Sequence, residues 1–320
     1  MGFFYSQLFV TPEYPTKSFS GQTVIVTGSN VGLGFEAARH FVRLDAKKVI
    51  LAVRNLEAGE KAKETIETST QRPGVCEVWK LDLASYDSVK AFASRVTQQL
   101  PRLDIVVENA AIAATKYSVA EAHERSITVN VISSILLGLL LLPKLKATAK
   151  EFPSSSPPHL SIVVSEVHAW TKFPEWKAAN TFAELDDEKT ANMAERYQTT
   201  KLLEVLAVRE IASRVADSGV VVNMLNPGLC HSELARDSGW GLWFLKLVLA
   251  RSTEVGSRAL MAAAAAGKES HGAYISDAKV ANEELSAFVR SEEGATAQAK
   301  VWKELGEILE KIQPGVMSSF

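Results

Sequence analysis

The sequence predicts an α/β fold, a single domain with a doubly wound parallel sheet of seven strands and helices on both faces. Strand-like and helix-like segments alternate along the chain, as in parallel sheets built from βαβ units. The turn "TGSNVGLG" follows the first predicted strand and opens a helix. The 320 residues are 47% hydrophobic, which is enough for one large core. Neither an internal repeat nor an interdomain linker divides the chain.

The seven predicted strands are short and rich in β-branched residues, and they cover residues 23–26, 49–53, 75–81, 103–108, 160–164, 220–225 and 273–275. The predicted helices run from the glycine turn to about 42, from an Asn55 N-cap to about 70, and over 85–100, 118–150 and 194–215. The tail over 296–312 places apolar side chains on one face: Val301, Trp302, Leu305, Ile308, Leu309 and Ile312. This pattern favours a packing helix, with a partner-binding helix as the alternative.

Charge and cysteine content exclude several classes of protein. The formal net charge is -2 and the pI is about 6.3, so no basic field is available for nucleic acid. The only cysteines are Cys76 and Cys230, which is typical of a reduced cytoplasmic setting without disulfides. Histidine and cysteine lack metal-ligand spacing, so we expect no metal. The apolar run over 135–142 is shorter than the ~20 residues that span a bilayer, and it predicts a buried helix.

The N-terminal extension, residues 1–20, is apolar but has no basic region or cleavage site of a signal peptide. It matches the pattern M-G-x-x-x-[ST] at Gly2 and Ser6, so lipidation stays open. We expect the segment to pack on the domain or against a surface, which leaves peripheral membrane contact as an alternative.

The glycine turn contains Gly28, Gly32 and Gly34. A nucleotide-binding turn needs glycine because the chain turns tightly, a phosphate approaches the backbone and the helix packs close to the strand. The helix N-terminus then offers free N–H groups to a pyrophosphate. The turn therefore predicts a dinucleotide site, with an ordinary strand–helix loop as the alternative.

The end of the second strand, "LAVRN", indicates which dinucleotide is preferred. It carries Arg54 in place of the carboxylate that binds a ribose 2′-hydroxyl. An arginine pairs bidentately with a 2′-phosphate, and such a bond contributes roughly 1.5–3 kcal/mol. The sequence thus favours NADP(H), with Ser29 and Asn30 adding contacts. A solvated surface arginine is the alternative.

A tyrosine and a lysine, Tyr197 and Lys201, lie one helical turn apart and share a helix face. A nearby ammonium favours the phenolate and is expected to lower the pKa of the tyrosine, which makes it a proton donor near neutral pH. Ser165 ends the fifth strand and offers a hydroxyl to a substrate carbonyl, with a strand-end cap as the alternative.

Taken together, these motifs resemble the short-chain dehydrogenase/reductase family over roughly residues 20–280. The resemblance rests on "TGSNVGLG", "LDL" at 81–83, "ENAA" at 108–111, "VN" at 129–130, "YQTTK" at 197–201 and "NPG" at 226–228. It is strongest with the retinol-dehydrogenase-like branch and with reductases of fungal secondary metabolism.

The resemblance implies a Rossmann fold and assigns roles to individual residues. The catalytic residues would be Ser165, Tyr197, Lys201 and Asn130, the last holding a water that links the lysine to solvent. A local backbone bond is the alternative role of Asn130. Asp82 would bond the adenine, and Asn109 would hold the end of the fourth strand. Ala111 departs from the family's usual glycine. The implied cofactor contacts are Gly28, Ser29, Asn30, Gly32, Leu33, Gly34, Arg54, Asp82, Leu83, Asn109, Ala110, Ala111, Tyr197, Lys201, Pro227 and Gly228.

The predicted function is NADPH-dependent carbonyl reduction or alcohol oxidation, acting on a bulky apolar or aromatic small molecule, in secondary metabolism. Two alternatives stay open: an enzyme whose main outcome is non-redox, such as cyclisation or epimerisation, and a catalytically silent NADP-binding protein. The family resemblance also implies a homodimer through the long helix and the Tyr197 helix, which the C-terminal extension over 280–320 could block.

Two aromatic-rich segments suggest where the substrate binds. An insertion over 168–190 holds Trp170, Phe173, Trp176 and Phe182, and a lid over 229–250 holds Trp240, Trp243 and Phe244. If both flank the same pocket mouth, a bulky apolar substrate is favoured. Core packing or a dimer interface is the alternative.

Overall fold

A computed structural model describes residues 3–153, 156–231 and 249–320. The main sheet has eight strands in the order β10-β9-β8-β7-β4-β1-β2-β3. Their bounds are β1 Thr23–Thr27, β2 Lys48–Val53, β3 Cys76–Lys80, β4 Ile105–Glu108, β7 His159–Val163, β8 Val221–Asn226, β9 Tyr274–Ser276 and β10 Lys279–Val280. A separate hairpin pairs β5 Val119–Ala120 with β6 His123–Glu124. The doubly wound parallel sheet predicted from the sequence is confirmed.

The predicted strand count of seven is wrong by one edge strand. Strand β10 pairs antiparallel with β9, and Asp277 and Ala278 connect the two. Both residues have positive φ, 49° and 63°, as both central residues of a type I′ turn require. The chain therefore reverses at the sheet edge over a segment too short to show a periodic pattern.

The α-helices of the described residues are α1 Phe3–Phe9, α2 Gly32–Arg43, α3 Leu56–Thr70, α4 Tyr86–Gln99, α5 Ser133–Glu151, α6 Thr181–Leu185, α7 Arg196–Arg214, α8 Thr253–Ala265 and α9 Glu292–Ile312. A π-helical turn, Ile127–Ile132, precedes α5. The predicted cap Asn55 is confirmed, because its side chain accepts a hydrogen bond from the Ala58 N–H.

The predicted start of the long helix at residue 118 is wrong. The β5–β6 hairpin occupies the first part of that region, with Glu121 in the left-handed conformation at a φ of 56°. The buried Glu124 carboxylate then accepts the N–H groups of Ser126 and Ile127. The Glu124 side chain thus begins the helical region at Arg125, whereas the apolar pattern suggests a start at residue 118.

Two apolar layers cover the two faces of the sheet. One contains residues of α4, α5 and α7, and the other contains residues of α2, α3 and α8. The stretch Ile127–Glu151 is long and apolar enough to cross a membrane, but 83% of its apolar window is buried inside the protein. The predicted buried helix is therefore confirmed.

The C-terminal helix α9 is a packing helix, as predicted. Val301, Leu305 and Leu309 are buried, and α9 lies against α7. The Arg209 guanidinium on α7 donates to the Val289 carbonyl, and the Lys146 ammonium on α5 donates to the Ser319 carbonyl. The C-terminal segment therefore covers parts of both helices through which the family resemblance implied a homodimer.

Candidate active site

The glycine turn lies at the carboxyl end of β1, between this strand and α2. Gly28 has a φ of 65°, and its N–H donates to the Ala52 carbonyl at 2.8 Å. A Cβ placed on Gly34 would lie 2.6 Å from Asn109 Nδ2 and 2.7 Å from the Gly28 carbonyl oxygen. The turn therefore requires glycine for close packing at its centre.

The N-terminus of α2 is suited to an anion. Helices α3, α4, α8 and α9 all begin with an Asn or Ser cap and carry an acidic residue in the first turn. By contrast, α2 begins after Val31, which makes no side-chain cap, and its first turn has no acidic residue. A Cβ on Gly32 would meet nothing within 4 Å. Free N–H groups, the helix dipole and open space together fit a pyrophosphate.

The other predicted residues of the turn divide into two groups. Asn30 and Leu33 are partly exposed beside the N-terminus of α2. Ser29 is fully buried, and its hydroxyl donates to the Val26 carbonyl at 2.8 Å. The hydroxyl of Ser29 therefore stabilises the turn itself, and a phosphate contact would come from its backbone.

The nucleoside end of the predicted site lies at the carboxyl ends of β2 and β3. Arg54 directly follows β2 and is exposed, and its carbonyl accepts the Lys80 ammonium at 2.6 Å. Within the described residues, no salt bridge involves its guanidinium. Asp82 follows β3 and is half-buried, with Oδ1 accepting the Ala84 N–H, while Leu83 beside it is buried.

Asn109 joins the ends of β1 and β4, the contact that the family resemblance implied. Its Nδ2 donates to the Thr27 carbonyl at 3.0 Å, and its own N–H and that of Ala110 both donate to Thr27 Oγ1 at 2.9 Å. Ala110 and Ala111 are partly exposed beside this junction. The predicted cofactor contacts of the glycine turn and of the segment after β4 thus lie together at the carboxyl ends of the neighbouring strands β1 and β4.

Asn130 lies within the π-helical turn and is fully buried. Its Oδ1 accepts the Ile112 N–H, and its Nδ2 donates to the Ile112 carbonyl and to Thr200 Oγ1. Thr200 directly precedes Lys201, so Asn130 connects the segment after β4 to the N-terminal part of α7, the predicted catalytic helix. π-Helical turns of this kind are frequent at functional sites.

Ser165 and the "NPG" segment follow the neighbouring strands β7 and β8. Ser165 is partly exposed, and its Oγ accepts the Val167 N–H at 3.3 Å. Pro227 is buried and Gly228 is partly exposed. The buried Gln7 of α1 donates from Nε2 to the Leu229 and Leu249 carbonyls. The N-terminal helix is therefore attached to the segment that carries Pro227 and Gly228.

Tyr197 and Lys201 share a face of α7, as predicted. Lys201 Nζ lies 5.7 Å from the centre of the Tyr197 ring. It donates to the Val163 carbonyl at 2.8 Å and forms an ion pair with Glu204 Oε2 at 2.8 Å. The lysine therefore connects the tyrosine, the end of β7 and a buried carboxylate.

The expected direction of the Tyr197 pKa is wrong for this structure. Burial raises the pKa of Tyr197, and the opposing effect of the Lys201 ammonium does not outweigh it. The Glu204 carboxylate also acts to raise it. Sequence spacing showed the lysine but not its burial or the Glu204 charge that accompanies it.

Two buried acids, Glu204 beside Lys201 and Glu108 near Glu204, were missed in the sequence. Burial raises the pKa of Glu204 to about 7, although Lys201 acts in the opposite direction. Burial raises the pKa of Glu108 to about 8; the Ser134 hydrogen bond opposes this rise and the Glu204 charge adds to it. The available signals were a carboxylate that ends the apolar run "IVVE" and one inside the apolar segment "LLEVL".

Glu108→Gln is expected to flatten the pH dependence of stability. The pKa of Glu108 is about 8 in the folded protein, whereas its pKa in the unfolded chain is 4.5. The resulting stabilisation is complete below pH 4.5 and is lost as the pH rises through about 8. Glutamine resembles the protonated acid. The free energy of unfolding of the variant should therefore equal that of the wild type near pH 5 and exceed it by a few kcal/mol at pH 9.

Urea unfolding at each pH measures the Glu108 effect. Glu60→Gln, on the exposed face of α3, is the matched control and should follow the wild-type curve. A constant stability difference between Glu108→Gln and the wild type from pH 5 to 9 would contradict the prediction.

The aromatic residues of the insertion do not form one pocket mouth. Phe173 and Phe182 are buried core residues, and Trp176 packs on Phe288 with ring centres 6.3 Å apart. Only Trp170 is largely exposed. For Phe173 and Phe182 the alternative of core packing is correct, because both belong to the apolar layer that contains α4, α5 and α7. Trp240, Trp243 and Phe244 lie outside the described residues.

His168, which follows Ser165, has a structural role. His168 Nδ1 lies 2.7 Å from the Ser165 carbonyl oxygen, and its Nε2 accepts the Ser286 N–H at 3.1 Å. Both ring nitrogens are thus used in contacts with the backbone. Among the described residues, no group of three or more His, Cys, Asp or Glu side chains could hold a metal ion.

The fold and site define a Rossmann-type dinucleotide-binding protein with a glycine turn after β1 and a tyrosine–lysine pair bonded to the end of β7. Residues 22–151 match the family model described as short chain dehydrogenase. The chain is 51% identical to a short chain dehydrogenase/reductase of Cryptosporiopsis sp. (strain 8999), with all of both chains covered. It is 45% identical to a short-chain dehydrogenase of Penicillium roqueforti, covering 99% of this chain and 84% of the relative.

The chain belongs to the short-chain dehydrogenase/reductase family and is an oxidoreductase of that family. Among solved structures, the NADPH-bound carbonyl reductase from chicken fatty liver has a TM-score of 0.61 at 20% identity, covering 83% of this chain and 99% of that one. The 3-ketoacyl-(acyl-carrier-protein) reductase of Brucella melitensis, complexed with NADH, has a TM-score of 0.62 at 20% identity, covering 81% and 97%. These structures support the Rossmann fold.

Proposed function

We propose that the protein is an NADPH-dependent carbonyl reductase, or an alcohol dehydrogenase in the reverse direction, acting on a bulky apolar or aromatic ketone or aldehyde. The observation that carries this proposal is that the uncapped N-terminus of α2, after β1, and the Tyr197–Lys201 pair, bonded to the end of β7, lie at the carboxyl ends of strands in one parallel sheet. An anion-binding turn and a proton-donating pair at the same end of the sheet are the two parts that carbonyl reduction with a dinucleotide needs.

Each predicted site residue would have a defined role in binding or in proton transfer. The Gly28–Gly34 turn would hold the pyrophosphate, Arg54 the 2′-phosphate and Asp82 the adenine. Lys201 would bind the nicotinamide ribose. Ser165 and Tyr197 would polarise the carbonyl oxygen, and Tyr197 would supply its proton. Asn130 would hold the water through which Lys201 regains a proton. When bound, the reduced dinucleotide supplies the hydride.

A role in secondary metabolism is part of this proposal. The fungal origin of the two similar relatives supports it. We further propose a cytoplasmic protein that acts on a small molecule. Any homodimer would use a surface other than the parts of α5 and α7 that the C-terminal segment covers. The exposed side chains of Phe4, Tyr5, Leu8 and Phe9 on α1 are the face on which a membrane contact would rest.

The direct test is to mix the protein with NADPH and a panel of bulky ketones and aldehydes and to follow the loss of reduced-cofactor absorbance. Ketone-dependent consumption of NADPH, with one alcohol formed per cofactor oxidised, is expected. NADPH binding without consumption across the panel would contradict the proposed reduction and favour a non-redox or silent role.

Arg54→Ala is expected to weaken NADPH binding by about 10–100-fold, since a charge-assisted bond contributes roughly 1.5–3 kcal/mol. The affinity for NADH should change little, because NADH has no 2′-phosphate. Calorimetric titration with both cofactors measures the difference. Lys47→Ala removes an exposed positive charge at the opposite end of β2 and should affect neither affinity. Equal losses for the two cofactors in Arg54→Ala would refute the role.

A further inference from the structure

A buried cluster of charged groups lies beside the proposed proton donor. Lys201 and Glu204 are both 2% exposed, and Glu108 is 4% exposed. The Lys201 ammonium has three N–H donors. One of them donates to the Val163 carbonyl at 2.8 Å, and Glu204 Oε2 lies 2.8 Å from the same ammonium as an ion pair.

The environment of Glu204 is unusual for a carboxylate. Its neighbours along α7, from Leu202 to Val208, are all buried, so this position does not belong to a solvated helix face. Burial of an unpaired carboxylate is strongly unfavourable, and Lys201 lies one turn earlier on the same face. The two side chains therefore depend on each other for a counter-charge.

The titratable groups around this pair come from two elements. Tyr197 lies on α7 with the pair, and Glu108 faces it from β4. The Ser134 hydroxyl of α5 donates to Glu108 Oε2. Because burial raises the pKa of Glu108 to about 8, Glu108 is mostly protonated at neutral pH. Glu204, whose Oε2 lies 2.8 Å from Lys201 Nζ, is the acid that pairs with the ammonium.

We propose that Glu204 is a positioning residue, whose carboxylate holds the Lys201 ammonium against the Val163 carbonyl and thereby sets the charge beside Tyr197. This inference rests on the proposed function, because the reaction would use Lys201 through Tyr197. It assigns Glu204 no contact with the substrate or the dinucleotide.

The electrostatics of the cluster give the proposal a measurable consequence. Burial acts to lower the pKa of Lys201, but the Glu204 carboxylate and Tyr197 outweigh it and the net pKa is raised. In Glu204→Gln the effect of burial is no longer opposed by a carboxylate. The buried lysine then loses its proton at lower pH and ceases to support Tyr197.

The first experiment is the pH profile of kcat/KM for ketone reduction. In Glu204→Gln the alkaline limb should move to lower pH by about one unit or more, and kcat/KM at pH 7.5 should fall about 10–100-fold. Glu204→Asp keeps the carboxylate, so the alkaline limb of its kcat/KM profile should lie close to that of the wild type. Glu210→Gln, which removes an ion pair with Arg214 further along α7, should keep the wild-type profile.

The second experiment needs neither cofactor nor substrate. Protein labelled with ¹⁵N-lysine is titrated by NMR, and the Lys201 Nζ signal is assigned by its loss in Lys201→Met. In Glu204→Gln, Lys201 should titrate at clearly lower pH than in the wild type. If that variant does not fold, Glu204→Asp supplies the comparison and should show a smaller shift in the same direction.

The outcomes separate this inference from the proposed function. An unchanged Lys201 titration, or an unchanged alkaline limb in Glu204→Gln, overturns the role of Glu204. If the Lys201 titration shifts in Glu204→Gln but the wild-type protein reduces no carbonyl, the Glu204–Lys201 coupling is supported and the proposed reaction is rejected.

Discussion

Tyr197→Phe is expected to reduce carbonyl turnover by roughly 10²–10⁴-fold, the range for loss of a general acid, while NADPH affinity stays within a few-fold. The substitution removes one hydroxyl and keeps the ring, which lies 5.7 Å from the Lys201 ammonium. The glycine turn and Arg54, which would hold the phosphates, lie on other elements. Single-turnover kinetics and fluorescence titration with NADPH measure the two quantities separately.

The matched control for Tyr197 is Tyr14→Phe, which removes the same atom from a half-exposed tyrosine that packs beside Arg43 and Arg258. Its turnover should equal that of the wild type. Near-normal turnover in Tyr197→Phe would reject the tyrosine as proton donor. Loss of NADPH affinity together with turnover would instead assign the hydroxyl to cofactor binding.

The fold could be predicted because its signals are local. Each predicted strand overlaps a strand of the sheet, since apolar β-branched runs between helical patterns indicate buried parallel strands. The glycine turn was equally readable, because close packing of Gly34 on Asn109 excludes other residues at this position. These features depend on a few neighbouring residues, and a single sequence contains them.

The features that sequence reasoning missed depend on contacts between distant segments. Thr181 donates its N–H to Glu304, so the insertion is anchored on α9, and Phe173 becomes a core residue. The β5–β6 hairpin is held by Asp186, which accepts the Glu124 N–H and contacts His123 Nδ1. Neither contact has a periodic signature. The same holds for Glu108 on β4, whose interaction with Glu204 on α7 joins two distant parts of the sequence.

A second buried ion pair lies directly before Tyr197 and joins three parts of the site. Arg196 and Glu124 are 1% and 0% exposed, with Arg196 Nε 3.5 Å from Glu124 Oε2. Arg196 Nη2 also donates to the Leu185 carbonyl of α6. Glu124 accepts backbone N–H groups at the start of the π-helical turn that carries Asn130. The pair thus connects the insertion, the catalytic helix and the π-helical turn.

Arg196→Met is expected to lower the free energy of unfolding by about 3–5 kcal/mol, because it leaves the Glu124 carboxylate buried without its partner. The double variant Arg196→Met/Glu124→Gln should recover part of this loss, and the coupling between the two changes follows from a double-mutant cycle measured by urea unfolding.

Lys61→Met is the control, since Lys61 and Glu57 form an ion pair with side chains 74% and 78% exposed. Such a pair contributes about 0–1 kcal/mol. If Arg196→Met were no less stable than Lys61→Met, the buried pair could not be what holds the π-helical turn to the first turn of α7. The position of Asn130 relative to Tyr197 would then have to depend on the Asn130–Thr200 hydrogen bond instead.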